Sequence, residues 1–253
     1  MSSANKQMLY ILFLSLISPL SLAGQLSVAV AGNFYKPLKV ISAHYQEQTG
    51  HQILLSVGAT GKLYAQISNG APFEILLAAD RARPSKLVEQ KLAVQGSQFT
   101  YGKGKLLLWS SDPALIDAAG EILKSPQIVH LAIANPKTAP YGAAAIEVLK
   151  NLGIYQQLKG KIVEGQSVGQ SFQQISSGAV ELGIIALSQV LVDHKIASGS
   201  GWIIPTTLYQ PIQQDAVLLN EGKTNPIAKD FLRYLQTPEC KEIIRSFGYQ
   251  VDA

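Results

Sequence analysis

Apolar positions along the chain follow two rhythms. Short runs rich in β-branched and aliphatic residues predict strands at 25–31, 51–56, 74–79, 128–134, 161–164 and 181–186. Segments with apolar residues three and four apart predict helices at 34–47, 84–91, 143–152 and 170–177, a helix opening at Thr60, and a short one near 189–193. Glycine and proline punctuate these runs: Gly50 stops the first helix, while Pro37 and Pro84 fall in first turns, where a missing N–H costs nothing. The alternation of strand and helix predicts an α/β fold with a mostly parallel sheet and helices on both faces.

The rhythm breaks at 99–110, an extended stretch with Gly102 and Gly104 near its start, and then resumes. This reads as a crossover into a second lobe. Segments 202–205 and 215–219 are extended again, and helices at 226–235 and 238–247 close the chain. That terminal pair is too short for a third domain and is expected to pack on the first lobe. Lobe 1 therefore comprises 24–101 and 210–253, and lobe 2 comprises 102–209. Two crossings make a hinge, the geometry of proteins that close around a small ligand.

Residues 1–23 stand apart. Lys6 is their only charge, an apolar run follows from Met8, and Ser21-Leu22-Ala23 is a small-x-small pattern, so the stretch reads as a cleavable secretory signal with a mature start near Gly24. The run is too short to span a bilayer unaided. Without Lys6, the 21 basic residues become 20 against 17 acidic, a mildly positive surface with no Lys/Arg cluster interleaved with aromatics, which excludes a nucleic-acid signature. Cys240 is the only cysteine, so no intrachain disulfide forms, and it reads as a small buried helix residue. His44, His51, His130 and His194 lack the paired spacing of metal ligands.

Candidate chemistry lies in four strand-to-helix turns: Gly32-Asn33, the stretch from Gly58 to Gly61, the stretch from Pro140 to Gly142, and the stretch from Ser167 to Gly169. Each offers small, hydroxyl or amide residues and free backbone N–H groups at a helix start, where partial positive charge favours an anion. Thr60 either caps its helix or offers its hydroxyl to such an anion. Ligands of open α/β sheets bind outside the carboxyl ends of strands. Two turns from each facing lobe would converge on one cleft, able to hold a dianion by neutral donors alone, with Lys36 and Lys137 near its edge.

The residues also carry a resemblance. Ala31-Gly32-Asn33-Phe34, the run from Gly58 to Phe73, Ala78-Ala79-Asp80, the run from Phe99 to Ser110, the run from Asn135 to Gly142 and Ser167-Val168-Gly169-Gln170 are similar to the periplasmic molybdate-binding proteins of ABC importers. The likeness is collinear from about Gln25 to Tyr249. It implies a two-lobe, type II periplasmic binding-protein fold, a molybdate or tungstate ligand and no other cofactor. It further implies delivery to an inner-membrane permease, a periplasmic monomer, and no enzymatic activity. By motif, the ligand contacts fall on Gly32, Asn33, Thr60, Tyr141 and Val168, the last through its backbone N–H, and they hold the oxyanion rather than a bare metal ion. Many members carry serine or threonine where this chain has Gly32, which leaves only a backbone amide there. Some take a tyrosine hydroxyl from the strand where Ala186 stands, and Tyr141 resembles the alternative of another branch. A cleft lined only by donors disfavours hydrogen phosphate, whose proton needs an acceptor, while sulfate must be excluded by size.

Two other readings compete. A binding protein for sulfate, thiosulfate or another oxyanion shares the donor logic. A hydrolase is suggested by Gly165-Gln166-Ser167-Val168-Gly169, which matches a nucleophile elbow between strand and helix. Its other parts are poor: His194 is the only downstream histidine and no His-Gly-Gly-type segment occurs. Gly58-Ala59-Thr60-Gly61-Lys62 is two residues short of nucleotide-loop spacing.

Overall fold

The computed structural model describes residues 23–192 and 194–252, so all but the last residue of the expected leader lies outside the described residues. The first half runs β1 (Gln25–Ala31), a 3-10 turn at Gly32–Phe34, α1 (Tyr35–Thr49), β2 (Gln52–Gly58), α2 (Thr60–Ser68), β3 (Ile75–Leu77), α3 (Ala82–Glu89) and β4 (Phe99–Gly104). The second runs β5 (Leu106–Ser110), β6 (Leu131–Ala134), α4 (Pro140–Asn151), the short α5 (Tyr155–Leu158), β7 (Ile162–Gly165), α6 (Val168–Ser176) and β8 (Leu182–Ala186). It ends with a small hairpin, β9 (Leu191–Val192) and β10 (Lys195–Ile196), and with β11 (Ser200–Ile203). The chain then returns through β12 (Ile212–Leu218) to α7 (Pro226–Tyr234) and α8 (Pro238–Ser246). Among the described residues no helix is long and apolar enough to cross a membrane.

Two five-stranded sheets result, ordered β2-β1-β3-β12-β4 and β11-β5-β8-β6-β7. Both are mixed. β1 pairs parallel with β2 and β3, as β6 does with β7 and β8; every antiparallel pairing in the two sheets involves β12 or β5, strands beside the crossings. The parallel strands end on one side of each sheet, which brings their helix starts together.

The extended stretch 99–110 is two strands in different sheets, joined through Lys105. The β4–β12 ladder continues to Gly104 opposite Ile212, so residues 102–104 and the expected break after 101 fall inside the first sheet. The helix expected near 189–193 is replaced by a 3-10 turn, Leu187–Gln189, followed by β9. There Leu191 is buried and Val192 exposed, the two-residue alternation of a strand.

The central strands are buried on both faces, as continuous apolar runs such as Leu106-Leu107-Leu108 and Leu131-Ala132-Ile133 require. The terminal helices pack on the first half: Ala228, Phe231, Cys240 and Ile244 join Leu38, Ile41 and Tyr45 in one core. Cys240 is fully buried there, and burial pushes its thiol pKa up, which suits an inert packing residue.

Candidate oxyanion-binding site

The four predicted turns meet. Gly32, Asn33, Thr60, Tyr141 and Val168 line one cavity together with Ala31, Gly58, Ala59, Ala79, Ala139 and Pro140. Its volume is about 10 Å³ measured to the centres of water-sized spheres, which suits a small compact group and excludes an organic solute. Asn33, Thr60, Tyr141 and Val168 are each at most 4% exposed. Among the described residues no Lys, Arg, Asp, Glu or His side chain lines it.

Each donor is set by its element. Thr60 is the first residue of α2, and its side chain makes no capping bond. Its Oγ1 instead accepts from the Ala79 N–H at 3.0 Å, just beyond β3, which leaves the hydroxyl proton for a ligand. Val168 opens α6 and Tyr141 is the second residue of α4, so neither backbone N–H has an intrahelical acceptor. Three helix starts, of nine, twelve and nine residues, therefore aim partial positive charge at one point. At Gly32 a Cβ would lie 3.4 Å from the Gly169 nitrogen across the cleft, an ordinary contact distance that places the two halves against each other here.

Two of the expected ligand residues have side chains engaged in bonds within the protein. The Asn33 carboxamide nitrogen donates to Gln214 Oε1 at 2.7 Å and to the Tyr249 hydroxyl at 2.9 Å. Both its hydrogens are used, so Asn33 offers the cavity its backbone N–H rather than its Nδ2. The Tyr141 hydroxyl accepts from Gln214 Nε2 at 3.0 Å beside Gly104, where a glycine Cβ would come within 1.9 Å of it. The phenol is thus tied to the hinge, and the Tyr141 backbone N–H, without an intrahelical acceptor, is a further donor on this residue.

Beneath the cavity lies a buried neutral network that the sequence did not disclose. The Tyr101 hydroxyl sits 2.9 Å from Gln214 Oε1 and 2.8 Å from the Ala78 carbonyl, while Ser188 Oγ donates to the Asn33 carbonyl at 2.8 Å. Burial drives the pKa values of Tyr101 and Tyr141 well above the ordinary tyrosine range and raises Tyr249 to about 12, so all three are neutral donors at physiological pH. The only available signal was the polar triplet Gln213-Gln214-Asp215 inside an otherwise apolar strand.

Cations stand at the rim, not inside. Lys36 donates to the Gln189 carbonyl and Lys62 to Gln166 Oε1; Arg83 pairs with Asp80 and reaches the Lys137 carbonyl at 3.3 Å. All three contacts join the first half to the second, as does Gly61 N–H to the Thr138 carbonyl at 2.8 Å. Partial burial lowers the Lys36 pKa. Lys137 contributes its backbone; its side chain is exposed. A larger cavity of about 430 Å³ opens alongside, lined by Asp80 and Glu147 together with Arg81 and Arg83, charges that cancel in sum and set it apart from the uncharged cavity.

Ser167 is a helix cap. It has φ −152° and ψ 164°, ordinary extended backbone rather than a strained elbow, and its Oγ accepts from the Gln170 N–H at 3.2 Å.

Comparison with known proteins agrees with this geometry. The bacterial extracellular solute-binding protein family matches residues 26–250. The molybdate-binding protein ModA of Azotobacter vinelandii is 50% identical over 227 residues, covering 90% of each chain. That of Rhodobacter capsulatus is 49% identical, covering 90% of this chain and 88% of the relative. The solved periplasmic molybdate-binding protein of Azotobacter vinelandii superposes with a TM-score of 0.87 at 41% identity, covering 90% of this chain and all of that one. With a profile match across both halves and relatives at half identity over nearly the whole length, this chain belongs to the bacterial extracellular solute-binding protein family, among its molybdate-binding members.

Proposed function

We propose that this protein captures molybdate, and tungstate with it, between its two halves and delivers it to the permease of an ABC importer. One observation carries the reading: helix starts from both sheets converge on a small cavity, scaled to a small ion, that among the described residues is lined by donors and no charged side chain. The names of the relatives agree with it. The ligand set is the Thr60 hydroxyl with the backbone N–H groups of Gly32, Asn33, Tyr141 and Val168. Such a set holds a fully deprotonated tetrahedral dianion without a neutralising cation, because aligned helix dipoles and short N–H to O⁻ bonds supply the compensation. Hydrogen phosphate is rejected, since its proton finds no acceptor and a buried unpaired group costs about 1 to 3 kcal/mol.

The cycle follows from the crossings. Lobe 1 (24–104 and 212–253) and lobe 2 (106–209, since Ile204, Leu208 and Tyr209 pack on the second core) rotate about Lys105 and residues 210–211, and the ion stabilises the closed form by bridging donors on both sides. The first 23 residues direct export and are removed, and the mature protein works in the periplasm as a monomer. A thermal melt of residues 24–253 tests the reading: a ligand at a thousand times its dissociation constant adds about 4 kcal/mol, so millimolar molybdate raises the melting temperature while equal sulfate leaves it in place. Equal shifts for both ions refute it.

A further inference from the structure

We infer that Gln214 is a positioning residue for oxyanion capture: its carboxamide clasps Asn33 of one half and Tyr141 of the other, so that the two sides of the site form together. This rests on the molybdate reading and extends it to a residue that does not line the cavity. Gln214 is fully buried in β12, the strand that follows the second crossing. Its carboxamide makes three directional contacts: Oε1 accepts from Asn33 Nδ2 at 2.7 Å and lies 2.9 Å from the Tyr101 hydroxyl, and Nε2 donates to the Tyr141 hydroxyl at 3.0 Å.

The backbone is shaped for this contact. The β4–β12 register shifts between Gln214, opposite Gly102, and Asp215, opposite Thr100, so Tyr101 is an extra residue in the ladder. A bulge of that kind re-aims side chains and recurs next to functional sites. Here Gln214 and Tyr101 meet in the network, while Asp215 binds Gln98, Thr100 and Arg81. Gly104, on the first crossing, makes room: a Cβ there would stand 1.9 Å from the Tyr141 hydroxyl and 2.4 Å from Gln214 Nε2. Both crossings therefore converge on one contact, which links hinge closure to the orientation of two proposed ligand residues. A connected buried network of this sort favours a single arrangement, since breaking any of its bonds leaves a buried polar group unpaired.

The test is calorimetric titration of residues 24–253 with sodium molybdate, using wild type, Gln214→Met, Gln214→Glu, Tyr141→Phe and the Tyr141→Phe/Gln214→Met pair. Gln214→Met weakens binding at least tenfold; affinity within twofold of wild type overturns the clasp. Tyr141→Phe costs fivefold or more in wild type and under twofold in the Gln214→Met background. An equal cost in both backgrounds means that the phenol acts without Gln214, and the clasp is refuted. Should Gln214→Met fail to fold, the near-isosteric Gln214→Glu decides. Its neighbours are Tyr101 from β4, Tyr141 from α4 and Tyr249 from the C-terminal segment, with Asp80 and Asp215 within Coulombic reach of Tyr101; Asp215 is paired to Arg81, and the nearby Lys103 is paired to Asp252. Burial among these groups raises the new carboxyl into the neutral range. Molybdate affinity then falls as pH rises from 6 to 9, whereas wild type stays flat; a flat profile at wild-type affinity overturns the proposal. Absence of molybdate binding by wild type refutes the function itself, a result distinct from variants that bind normally.

Discussion

Gly61→Ala separates closure from folding. Gly61 is the second residue of α2, and a Cβ there would lie 3.0 Å from both the Cα and the carbonyl oxygen of Thr138 in the opposite half, and 3.2 Å from Arg83 Nη2. Carbon atoms pack best at about 3.5 to 4.0 Å, so the halves must part by roughly half an ångström at this point. That movement stretches the Gly61 N–H bond to the Thr138 carbonyl, now 2.8 Å. Overpacking costs about 1 to 3 kcal/mol and the weakened bond up to about 1 kcal/mol. A total near 2 kcal/mol corresponds to roughly thirtyfold weaker binding. In the open form the contact is absent, and alanine is favoured over glycine in a helix by about 0.5 to 1 kcal/mol. The expected signature is opposite in sign for two assays: molybdate affinity by calorimetry falls about thirtyfold, while the melting temperature of the ligand-free chain holds or rises. Unchanged affinity would refute the closed-form contact, and a fall in both would show that Gly61 matters to the fold instead.

Other perturbations have equally direct readouts. Thr60→Val leaves the buried Ala79 N–H without its acceptor, a cost of about 1 to 3 kcal/mol, and removes a ligand donor; melting temperature and molybdate affinity both drop, Thr60→Ser restores both, and a stable, tightly binding valine variant contradicts the assignment. Ser167→Ala removes only a cap worth about 1 kcal/mol, so a melt shows a few degrees lost and calorimetry shows affinity within a few-fold; serine-dependent ester hydrolysis by the wild type contradicts this. The buried tyrosines Tyr101, Tyr141 and Tyr249 hold their protons in the folded state after the unfolded chain has released them. Their contribution is complete below about pH 10 and is lost as pH rises beyond it, by up to about 1.4 kcal/mol per pH unit for each. Urea unfolding between pH 8 and 11 reads this slope, and stability independent of pH over that range contradicts it.

Much of this architecture is legible in the sequence because local signals agree there. Gly50 adopts φ +74° and closes α1 with its N–H on the Gln46 carbonyl, as a helix-ending glycine should. The turns around Asn33, Thr60, Tyr141 and Val168 follow strands and open helices, so the place of each at a strand's carboxyl end follows from the alternation, and their convergence follows once the two lobes face each other. The first crossing is legible within 99–110, but its exact place is not, because β4 and β5 form one unbroken extended run and only pairing partners distinguish Gly104 from Leu106. The short helix expected near 189–193 gives way to a 3-10 turn and β9 because a short apolar run fits both periods. Gln214 left almost no trace. Its role depends on a bulge and on residues 33, 101 and 141, far away along the chain, and polar strand residues ordinarily face solvent. The same distance hid the direction of the Tyr141 phenol, which motif alone assigns to the ligand and the hinge claims.

The central claim is that a tetrahedral dianion is gripped between the halves by uncharged donors. Calorimetric titration of residues 24–253 with molybdate, tungstate, sulfate and phosphate at neutral pH tests it most directly. The account predicts one site that binds molybdate and tungstate tightly, sulfate at least a hundredfold more weakly, and phosphate without detectable heat. Phosphate binding comparable to molybdate would contradict it.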